Sequence, residues 1–319
     1  MMVTLNDVLE AQRLIAGRVH RTPLLSAHSL GNMVSPPVQL YVKAELLQKT
    51  GSFKARGALN KVLSLTDAQK RQGLITVSAG NHAQAAAWAG ANEGVAVTVV
   101  MPEVAVRSKI EATRGYGAEV VLFGKTPTVL FDHAHQLERE RGLHFIHAYD
   151  DPRIVAGAGT TGLEILEDLP DADVVIVPCG GGGLISGIAV AIKERRPQAR
   201  IILVEPEGAP TMHNAVAAGK SVPLEKVSTI ADGLTAPFAG ELNLAIVQRY
   251  VDQMVLVTDD EISAALLLVL ERCKFQAEPA AAASVAALLS GKTQVAEGEK
   301  VVAVLSGGNI DRDRLKSLL

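Results

Sequence analysis

Short runs of apolar residues alternate with longer stretches of helical periodicity along most of the chain. The clearest of these runs occupy residues 95–101, 119–123, 174–177, 201–204 and 301–305. Strand-like segments that alternate with helical ones are typical of parallel sheets covered by helices. The pattern therefore predicts an α/β protein. No internal repeat, low-complexity tract or obvious linker marks a domain boundary.

A helix is predicted to begin after the sequence Gly51-Ser52, and it carries Lys54 in its first turn. This lysine lies at the margin of the apolar face formed by Ala58, Leu59, Val62 and Leu65. An amine held against apolar surface loses stabilisation of its charge, so its pKa falls and the neutral form can act as a nucleophile or a base. An ordinary lysine with its stem along the same face would give the same pattern. This segment alone leaves both interpretations open.

The segment SAGNH at residues 78–82 follows the apolar run 74–77 and precedes a stretch of small residues. That order predicts a strand, a tight turn and a helix. Free N–H groups at the start of a helix attract an anion, and Ser78, Asn81 and His82 would add side-chain donors beside them. A plain turn with Asn81 as the helix cap would explain the segment equally well.

Four glycines at residues 180–183 follow the apolar run 174–177. Such a loop lets the backbone wrap closely around a phosphate. The dinucleotide fingerprint G-x-G-x-x-G does not fit, because Ile185 or Ser186 occupies the position of its third glycine. Glu205 could still act as a ribose-binding acid, so an NAD site stays open, as does a flexible loop without ligand. A Walker loop is excluded because no Gly-Lys-Ser/Thr follows.

The segment SGGN at residues 306–309 follows the apolar run 301–305. Ser306 offers a neutral hydroxyl at the carboxyl end of a predicted strand, where ligands bind in open α/β sheets. A plain turn would explain this segment by itself. A reactive lysine, an anion-binding turn, a phosphate-binding glycine loop and a neutral hydroxyl together fit pyridoxal 5′-phosphate, whose aldehyde takes an amine and whose ring is an electron sink.

These four segments, together with RTPL at residues 21–24, resemble the fold-type II pyridoxal-phosphate enzymes, in particular the threonine/serine dehydratase and serine racemase group. The resemblance covers essentially the whole chain and is closest to the short threonine dehydratases, which lack a regulatory domain. It implies a fold similar to the tryptophan synthase β subunit, with two mostly parallel open sheets covered by helices. We expect a large cofactor-binding domain (residues 1–64 and 151–319), a small inserted domain (residues 65–150), and the cofactor between them.

The resemblance also implies roles for individual residues. Lys54 is expected to bind the cofactor aldehyde as a Schiff base and to move the α-proton of the substrate. The expected contacts with pyridoxal phosphate are Phe53, Lys54, Asn81, Gly180, Gly181, Gly182, Gly183, Leu184, Gly233, Glu278, Ser306 and Gly307. The expected contacts with the substrate are Ser78, Ala79, Gly80, Asn81 and His82. No metal ligand is expected.

The expected reaction removes water from L-threonine or L-serine and gives a 2-oxo acid and ammonia, so the protein would be a lyase. Ser306 cannot supply the charge that an Asp gives the pyridine nitrogen, and a shallower electron sink suits prompt loss of a β leaving group. Racemases of the group carry a serine in place of Ala79 and an Asp in place of Thr211. Serine racemase and hydroxyaspartate dehydratase remain alternatives. An NAD-dependent dehydrogenase, from another class, would leave residues 52–54 unexplained.

The composition of the chain limits which classes of molecule it is expected to bind and where it is expected to be located. The formal net charge is −3 and no basic stripe interleaved with aromatics occurs, so nucleic acid is not expected. Cys179 and Cys273 form no C-x-x-C pair, which fits a reducing compartment. Residues 1–19 do not resemble a signal peptide, and no apolar run reaches the length of a membrane span. We expect a cytoplasmic protein that binds a small amino acid, has no C-terminal effector domain and, by resemblance, forms a homodimer.

Overall fold

The computed structural model describes residues 2–318, which form two separate sheets and the helices around them. The strands are β1 Leu24–Ser26, β2 Gln39–Ala44, β3 Leu74–Val77, β4 Val97–Met101, β5 Glu119–Leu122, β6 His144–Phe145, β7 Val174–Pro178, β8 Arg200–Pro206, β9 Gln253–Val257 and β10 Lys300–Leu305. The α-helices are α1 Leu5–Ile15, α2 His28–Gly31, α3 Lys54–Leu63, α4 Asp67–Gln72, α5 Asn81–Asn92, α6 Arg107–Gly115, α7 Pro127–Arg141, α8 Pro152–Asp168, α9 Gly183–Lys193, α10 Thr211–Ala218, α11 Glu241–Tyr250, α12 Asp259–Leu268, α13 Pro279–Leu289 and α14 Arg312–Leu318.

The apolar runs of the sequence form strands, as predicted. The five clearest runs correspond to β4, β5, β7, β8 and β10, and the run before the SAGNH segment forms β3. The helix predicted after Gly51-Ser52 is α3, and the helix predicted after the turn at residues 78–82 is α5, which begins at Asn81. The sequence pattern did not mark β1, β2, β6 and β9. Strands β1 and β6 have only three and two residues, and Lys43 interrupts β2, whereas β9 is an apolar run that was not recognised.

The larger sheet has six strands in the order β1-β2-β10-β7-β8-β9, and every pair is parallel except β1 with β2. Both of its faces are buried. Val174 and Ile176 of β7 pack in one core cluster with α12 and α13, whereas Val175 and Val177 pack in another with α8 and α9. Burial on both faces explains why these strands are continuous apolar runs rather than alternating ones.

The smaller sheet is fully parallel, with the order β5-β4-β3-β6, and all its strands come from the chain between β2 and β7. Helix α3 packs its apolar face, with Ala58, Leu59 and Val62, into the same core cluster as Leu74 and Val99 of this sheet. The α/β architecture with two mostly parallel sheets is therefore as expected. The domain boundaries at residues 65 and 150 stay a prediction.

The topology directs chemically useful loops to one place. In parallel sheets the carboxyl ends of the strands lie at one edge, and the loops that follow β3, β7 and β10 are the segments singled out in the sequence. Within residues 2–318, no helix combines the length and the apolar character needed to cross a membrane.

Candidate active site

A cleft of about 670 Å³ lies beside the carboxyl ends of β3, β7 and β10 and is lined by residues of both sheets and their helices. It brings together all residues predicted to contact the cofactor or the substrate except Gly307. Gly307 packs against Glu278 and Ser52 instead, and its carbonyl oxygen accepts a hydrogen bond from the Glu278 N–H at 3.1 Å. Segments as distant as residues 54 and 306 therefore share one site.

Lys54 is the first residue of α3 and faces the cleft. Its Nζ donates a hydrogen bond to the Ala148 carbonyl oxygen at 2.7 Å and lies 5.1 Å from the centre of the Phe53 ring. Burial lowers the pKa of the amine from its usual 10.5 to about 8. The Phe53 N–H donates to the Ser306 carbonyl oxygen at 3.0 Å, so the start of α3 is attached directly to the end of β10.

The turn after β3 leads into α5, whose first N–H groups are free. The N–H groups of Asn81, His82 and Ala83 have no acceptor among the residues that the structure describes. The Ser78 hydroxyl accepts a hydrogen bond from the Gly80 N–H at 3.2 Å and so shapes the turn. Free donors at a helix start form an anion site, which suits a substrate carboxylate.

The His82 ring is directed into the protein, contrary to the expectation that it adds a side-chain donor to this anion site. The residue is only 3% exposed, and its Nε2 lies 3.0 Å from the Thr76 hydroxyl. Because that hydroxyl donates to the Ile146 carbonyl oxygen, it must accept from Nε2–H. Burial, with Lys54 and His147 nearby, holds the pKa of His82 well below its usual range. The ring is neutral, and only the backbone N–H of His82 is left for an anion.

The Asn81 side chain joins two other segments. Its Nδ2 donates to Glu278 Oε1 at 2.7 Å, and its Oδ1 accepts from Asn309 Nδ2 at 2.8 Å. Glu278 precedes α13 and is 7% exposed, and burial raises the pKa of its carboxyl to about 7. Gly233 lies on the other side of this carboxylate, since a Cβ there would be 3.5 Å from Glu278 Oε1. These side chains form one wall of the cleft.

The glycine loop between β7 and α9 is a cradle of unused donors. The N–H groups of Gly180, Gly181, Gly183 and Leu184 donate to no protein acceptor within residues 2–318. The Gly181 carbonyl oxygen, in contrast, accepts from the Gly240 N–H at 3.1 Å and from Asn243 Nδ2 at 2.9 Å. With the carbonyl held by protein and the donors free at a helix start, the loop suits a phosphate group.

Glycine is required in this loop for two different reasons. Gly182 has a φ of +99°, and a Cβ there would lie 2.6 Å from the Asn243 Cβ. A Cβ on Gly181 would overlap the ring of Tyr149. That ring is held in place by a hydrogen bond from its hydroxyl to the Phe238 carbonyl oxygen at 2.9 Å. The loop therefore keeps its shape only without side chains.

Ser306 completes the set of groups expected for pyridoxal phosphate. Its side chain lines the cleft and has no hydrogen-bond partner in the described part of the chain, although the residue is only 4% exposed. An amine of lowered pKa suits the aldehyde, the glycine loop suits the phosphate, and a free hydroxyl suits the pyridine nitrogen. The residues present thus fit this cofactor.

Glu205, which could have bound the ribose of a dinucleotide, instead accepts hydrogen bonds from the start of α10. Glu205 is fully buried, and its carboxylate accepts from the N–H groups of Met212 and His213 at 2.6 and 3.0 Å and from His213 Nδ1 at 2.6 Å. Burial raises its pKa. The Thr211 hydroxyl donates to the Ala236 carbonyl oxygen at 3.0 Å. Glu205 fixes the start of α10 and cannot reach a ribose, which removes the main support for an NAD site.

Three residues that shape the cleft were not predicted from the sequence, namely Tyr149, Asn243 and Asn309. Asn309 lies in the SGGN segment, where an amide next to two glycines after a predicted strand is a signal of a shaped turn. Tyr149 and Asn243 carry no local signal, because their importance comes from contacts with a loop more than 30 residues away. Within residues 2–318, no group of three His, Cys, Asp or Glu side chains is arranged to hold a metal.

Comparisons with known proteins agree with this geometry. The family described as pyridoxal-phosphate dependent enzyme matches residues 15–307. The chain is 44% identical to the L-threonine ammonia-lyase of Thermotoga maritima, over 100% of this chain and 78% of that protein. It is 43% identical to the catabolic L-threonine dehydratase TdcB of Escherichia coli K12, over 99% of this chain and 96% of that one.

Solved structures give the same result. Maize serine racemase matches with a TM-score of 0.94 and 38% identity, over 99% of this chain and 97% of that one. The processed form of threonine deaminase isoform 2 from Solanum lycopersicum matches with a TM-score of 0.91 and 38% identity, over 98% of this chain and 86% of that one.

Proposed function

The chain belongs to the pyridoxal-phosphate dependent enzymes, and we propose that it removes water from L-threonine or L-serine to give a 2-oxo acid and ammonia. The observation that carries this proposal is the Lys54 amine, with its pKa lowered to about 8, in one cleft with the glycine cradle and the free Ser306 hydroxyl. Relatives over nearly the whole chain named L-threonine ammonia-lyase and L-threonine dehydratase support the substrate.

The free groups of the cleft hold the cofactor part by part. When bound, pyridoxal phosphate supplies an aldehyde for an amine and a ring that withdraws electrons from the substrate Cα. The Lys54 amine would hold the aldehyde until the substrate amine replaces it. The N–H groups of Gly180, Gly181, Gly183 and Leu184 would hold the phosphate, and the neutral Ser306 hydroxyl would accommodate the ring nitrogen.

Substrate orientation and proton transfer depend on α5 and α3. The free N–H groups of Asn81, His82 and Ala83 hold the substrate carboxylate at the start of α5. This directs the Cα–H bond towards Lys54, whose neutral amine removes the proton as a general base. A pKa of about 8 leaves a useful fraction of that amine neutral near pH 7, whereas an ordinary lysine would be almost fully charged.

The elimination balances without an oxidant or a reductant. The Cα–H bond breaks and its proton goes to Lys54. The Cβ–O bond then breaks with its electron pair on oxygen, and the hydroxyl takes up one proton and leaves as water. This uptake equals the proton that Lys54 gained from Cα, so the step consumes no net proton. The double bond that forms between Cα and Cβ belongs to an enamine, which after release takes up water and gives the 2-oxo acid and ammonia.

Elimination is favoured over racemisation by the residue at position 79. Racemisation needs a second acid that returns a proton to the opposite face of Cα. By the resemblance, racemases carry a serine there, whereas Ala79 lines the cleft with a methyl group that cannot donate a proton. The neighbouring Ser78 hydroxyl is engaged with the turn, through the Gly80 N–H.

The test is a product assay on the purified protein with pyridoxal phosphate. L-Threonine or L-serine should give 2-oxo acid and ammonia in equal amounts, with no comparable release of D-serine. The variant Lys54→Ala should lose this activity, and Lys220→Ala, which removes an exposed lysine outside the cleft, should keep it. Rapid D-serine formation would favour the racemase alternative, and no product from either amino acid would contradict the proposal.

The proposal extends to a cytoplasmic homodimer. Cys179 and Cys273 are both free, and the described residues contain no disulfide, which fits a reducing compartment. The dimer rests on the family resemblance. Light scattering should give a mass near twice the 33.6 kDa of the chain, and a mass near the single-chain value would contradict a stable dimer.

A further inference from the structure

The Asn81 side chain is the middle of a chain of hydrogen bonds that begins at a backbone carbonyl. Asn309 Nδ2 donates to the Thr50 carbonyl oxygen at 2.7 Å and to Asn81 Oδ1 at 2.8 Å. Asn81 Nδ2 donates to Glu278 Oε1 at 2.7 Å. The four residues come from four separate segments, and Asn309, Asn81 and Glu278 all line the cleft.

The direction of these hydrogen bonds leaves the Asn81 amide one orientation. A backbone carbonyl can only accept, so the nitrogen of the Asn309 amide must face Thr50. The same nitrogen uses its second hydrogen towards Asn81, which must therefore present its oxygen. The Asn81 nitrogen then faces the Glu278 carboxylate, and its second N–H bond has no acceptor within residues 2–318.

The backbone conformation around Thr50 fixes the carbonyl oxygen at which this series of hydrogen bonds begins. Thr50 has a φ of +58° and Gly51 a φ of +73°, and a β-branched residue such as Thr adopts this region only at a cost. The Gly308 N–H donates to the Gly51 carbonyl oxygen at 2.9 Å, which ties this turn to the SGGN segment. A Cβ on Gly51 would overlap the Asn309 amide. The turn and Asn309 therefore fit each other closely.

We infer that Asn309 is a positioning residue that fixes which atoms of the Asn81 amide face the bound pyridoxal phosphate. Glu278 completes the arrangement by accepting the other Asn81 N–H. The inference rests on the proposed function, because it concerns the cofactor of that same cleft. It predicts that Asn309 affects cofactor binding only through Asn81.

A double-mutant cycle separates this role from a merely structural one. The variants are Asn309→Ala, Asn81→Ala and the double variant, and the readouts are the dissociation constant for pyridoxal phosphate and kcat and KM for L-threonine. Each single variant should weaken cofactor binding about tenfold, as expected for one lost hydrogen bond. The double variant should be no worse than Asn81→Ala, within about twofold. Losses that multiply in the double variant would overturn the inference.

An isosteric variant tests the orientation itself. Asn309→Asp puts oxygens against the Thr50 carbonyl and Asn81 Oδ1, so it should bind the cofactor more weakly than Asn309→Ala and shift its visible absorption band. The matched control is Asn92→Asp, where the amide at the end of α5 donates to the Trp88 carbonyl oxygen and to no other described residue. An Asp variant indistinguishable from the control would also overturn the inference.

A replacement variant and a measurement on the wild-type protein keep the outcome of the double-mutant cycle unambiguous. If Asn309→Ala does not purify as a folded protein, Asn309→Ser in the same cycle gives the coupling, because its hydroxyl cannot serve both acceptors. If the wild-type protein takes up no pyridoxal phosphate, the proposed function fails and the inference fails with it. If the wild type binds the cofactor and eliminates water while the losses multiply, only the inference fails.

Discussion

The Lys54 amine loses charge stabilisation because protein replaces water around it, and its pKa falls to about 8. Only the neutral amine can take the cofactor aldehyde. The rate at which the protein without cofactor captures pyridoxal phosphate should therefore rise with pH, with a midpoint near 8. Stopped-flow absorbance measures this rate. A midpoint near 10.5, the usual value for lysine, would show that the amine is not desolvated.

The Glu278 carboxyl leads to a second prediction about pH, in which a property of the protein, its stability, falls as pH rises. Its carboxyl keeps its proton in the folded protein up to a pKa of about 7 but titrates near 4.5 when unfolded. Between these values the folded state binds more protons, so stability falls as pH rises, by at most about 3 kcal/mol. Thermal unfolding of the cofactor-free protein should show Glu278→Gln gaining stability over wild type from pH 5 to pH 7. An unchanged difference would contradict the shift.

Single residues were predictable where a local motif carried the chemistry. Lys54, Ser306 and the glycine loop lie in short segments that indicated a cofactor site only in combination, because each segment alone also fits a plain turn or an ordinary lysine. The orientation of the His82 ring was not predictable, because it depends on the Thr76 hydroxyl and through it on the Ile146 carbonyl. The role of Asn309 likewise depends on a partner 228 residues away in the chain.

At the scale of elements, the β7–α9 loop depends on the absence of side chains. Gly181→Ala would push a methyl group into the Tyr149 ring, which is itself held by its hydrogen bond to Phe238. We expect the dissociation constant for pyridoxal phosphate to rise about tenfold or more, and the free energy of unfolding to fall by about 1–3 kcal/mol. Cofactor titration and thermal unfolding measure the two effects.

The control for this loop is Gly142→Ala. Gly142 ends α7 with a φ of +66°, and a Cβ there meets nothing within 4 Å. This variant should cost only about 1 kcal/mol of stability, from backbone strain, and leave cofactor binding intact. If Gly181→Ala behaves like Gly142→Ala, the loop is not the close-fitting cradle described above.

Among the elements, the apolar runs were predictable and β2 was not. Lys43 interrupts its apolar pattern, yet this lysine is fully buried. Its Nζ donates to Glu164 in α8 at 2.7 Å and to the Thr22 carbonyl oxygen at 2.7 Å. Because Glu164 is more than 100 residues away in the sequence, the pattern of a single segment cannot show that Lys43 is buried.

At the scale of the whole molecule, a buried ion cluster joins α3 to the larger sheet and to α8. Arg56 donates to Glu45 from Nε and Nη2 at 2.8 Å each and to Glu164 from Nη1 at 2.7 Å. Arg56→Met should leave the carboxylates without these donors and destabilise the protein by about 3–5 kcal/mol. Urea unfolding measures the loss.

Arg107→Met is the matched control for the cluster, because the Arg107 side chain is 90% exposed and its ion pair with Glu111 is on the surface. Solvent screens such an exposed pair, so this variant should unfold close to wild type. Equal stability of the two variants would mean that the cluster does not hold α3 in place.

The two-sheet arrangement of the molecule followed from the family resemblance rather than from periodicity. The alternation of strands and helices indicated parallel sheets but not how many, because the segment between β2 and β7 differs from the rest in neither composition nor pattern. Strand order is decided by pairing between distant segments, such as β10 with β2. The meeting of three loops at one cleft then follows from the parallel direction of their strands.

The most direct measurement of the central claim is to locate the cofactor on the chain. The purified protein is treated with borohydride, which reduces a covalent link between pyridoxal phosphate and a lysine to a stable one, and its peptides are mapped by mass spectrometry. The account predicts a visible absorption band before reduction and a single modified residue, Lys54. A label on another lysine, or no band and no label after incubation with pyridoxal phosphate, would contradict it.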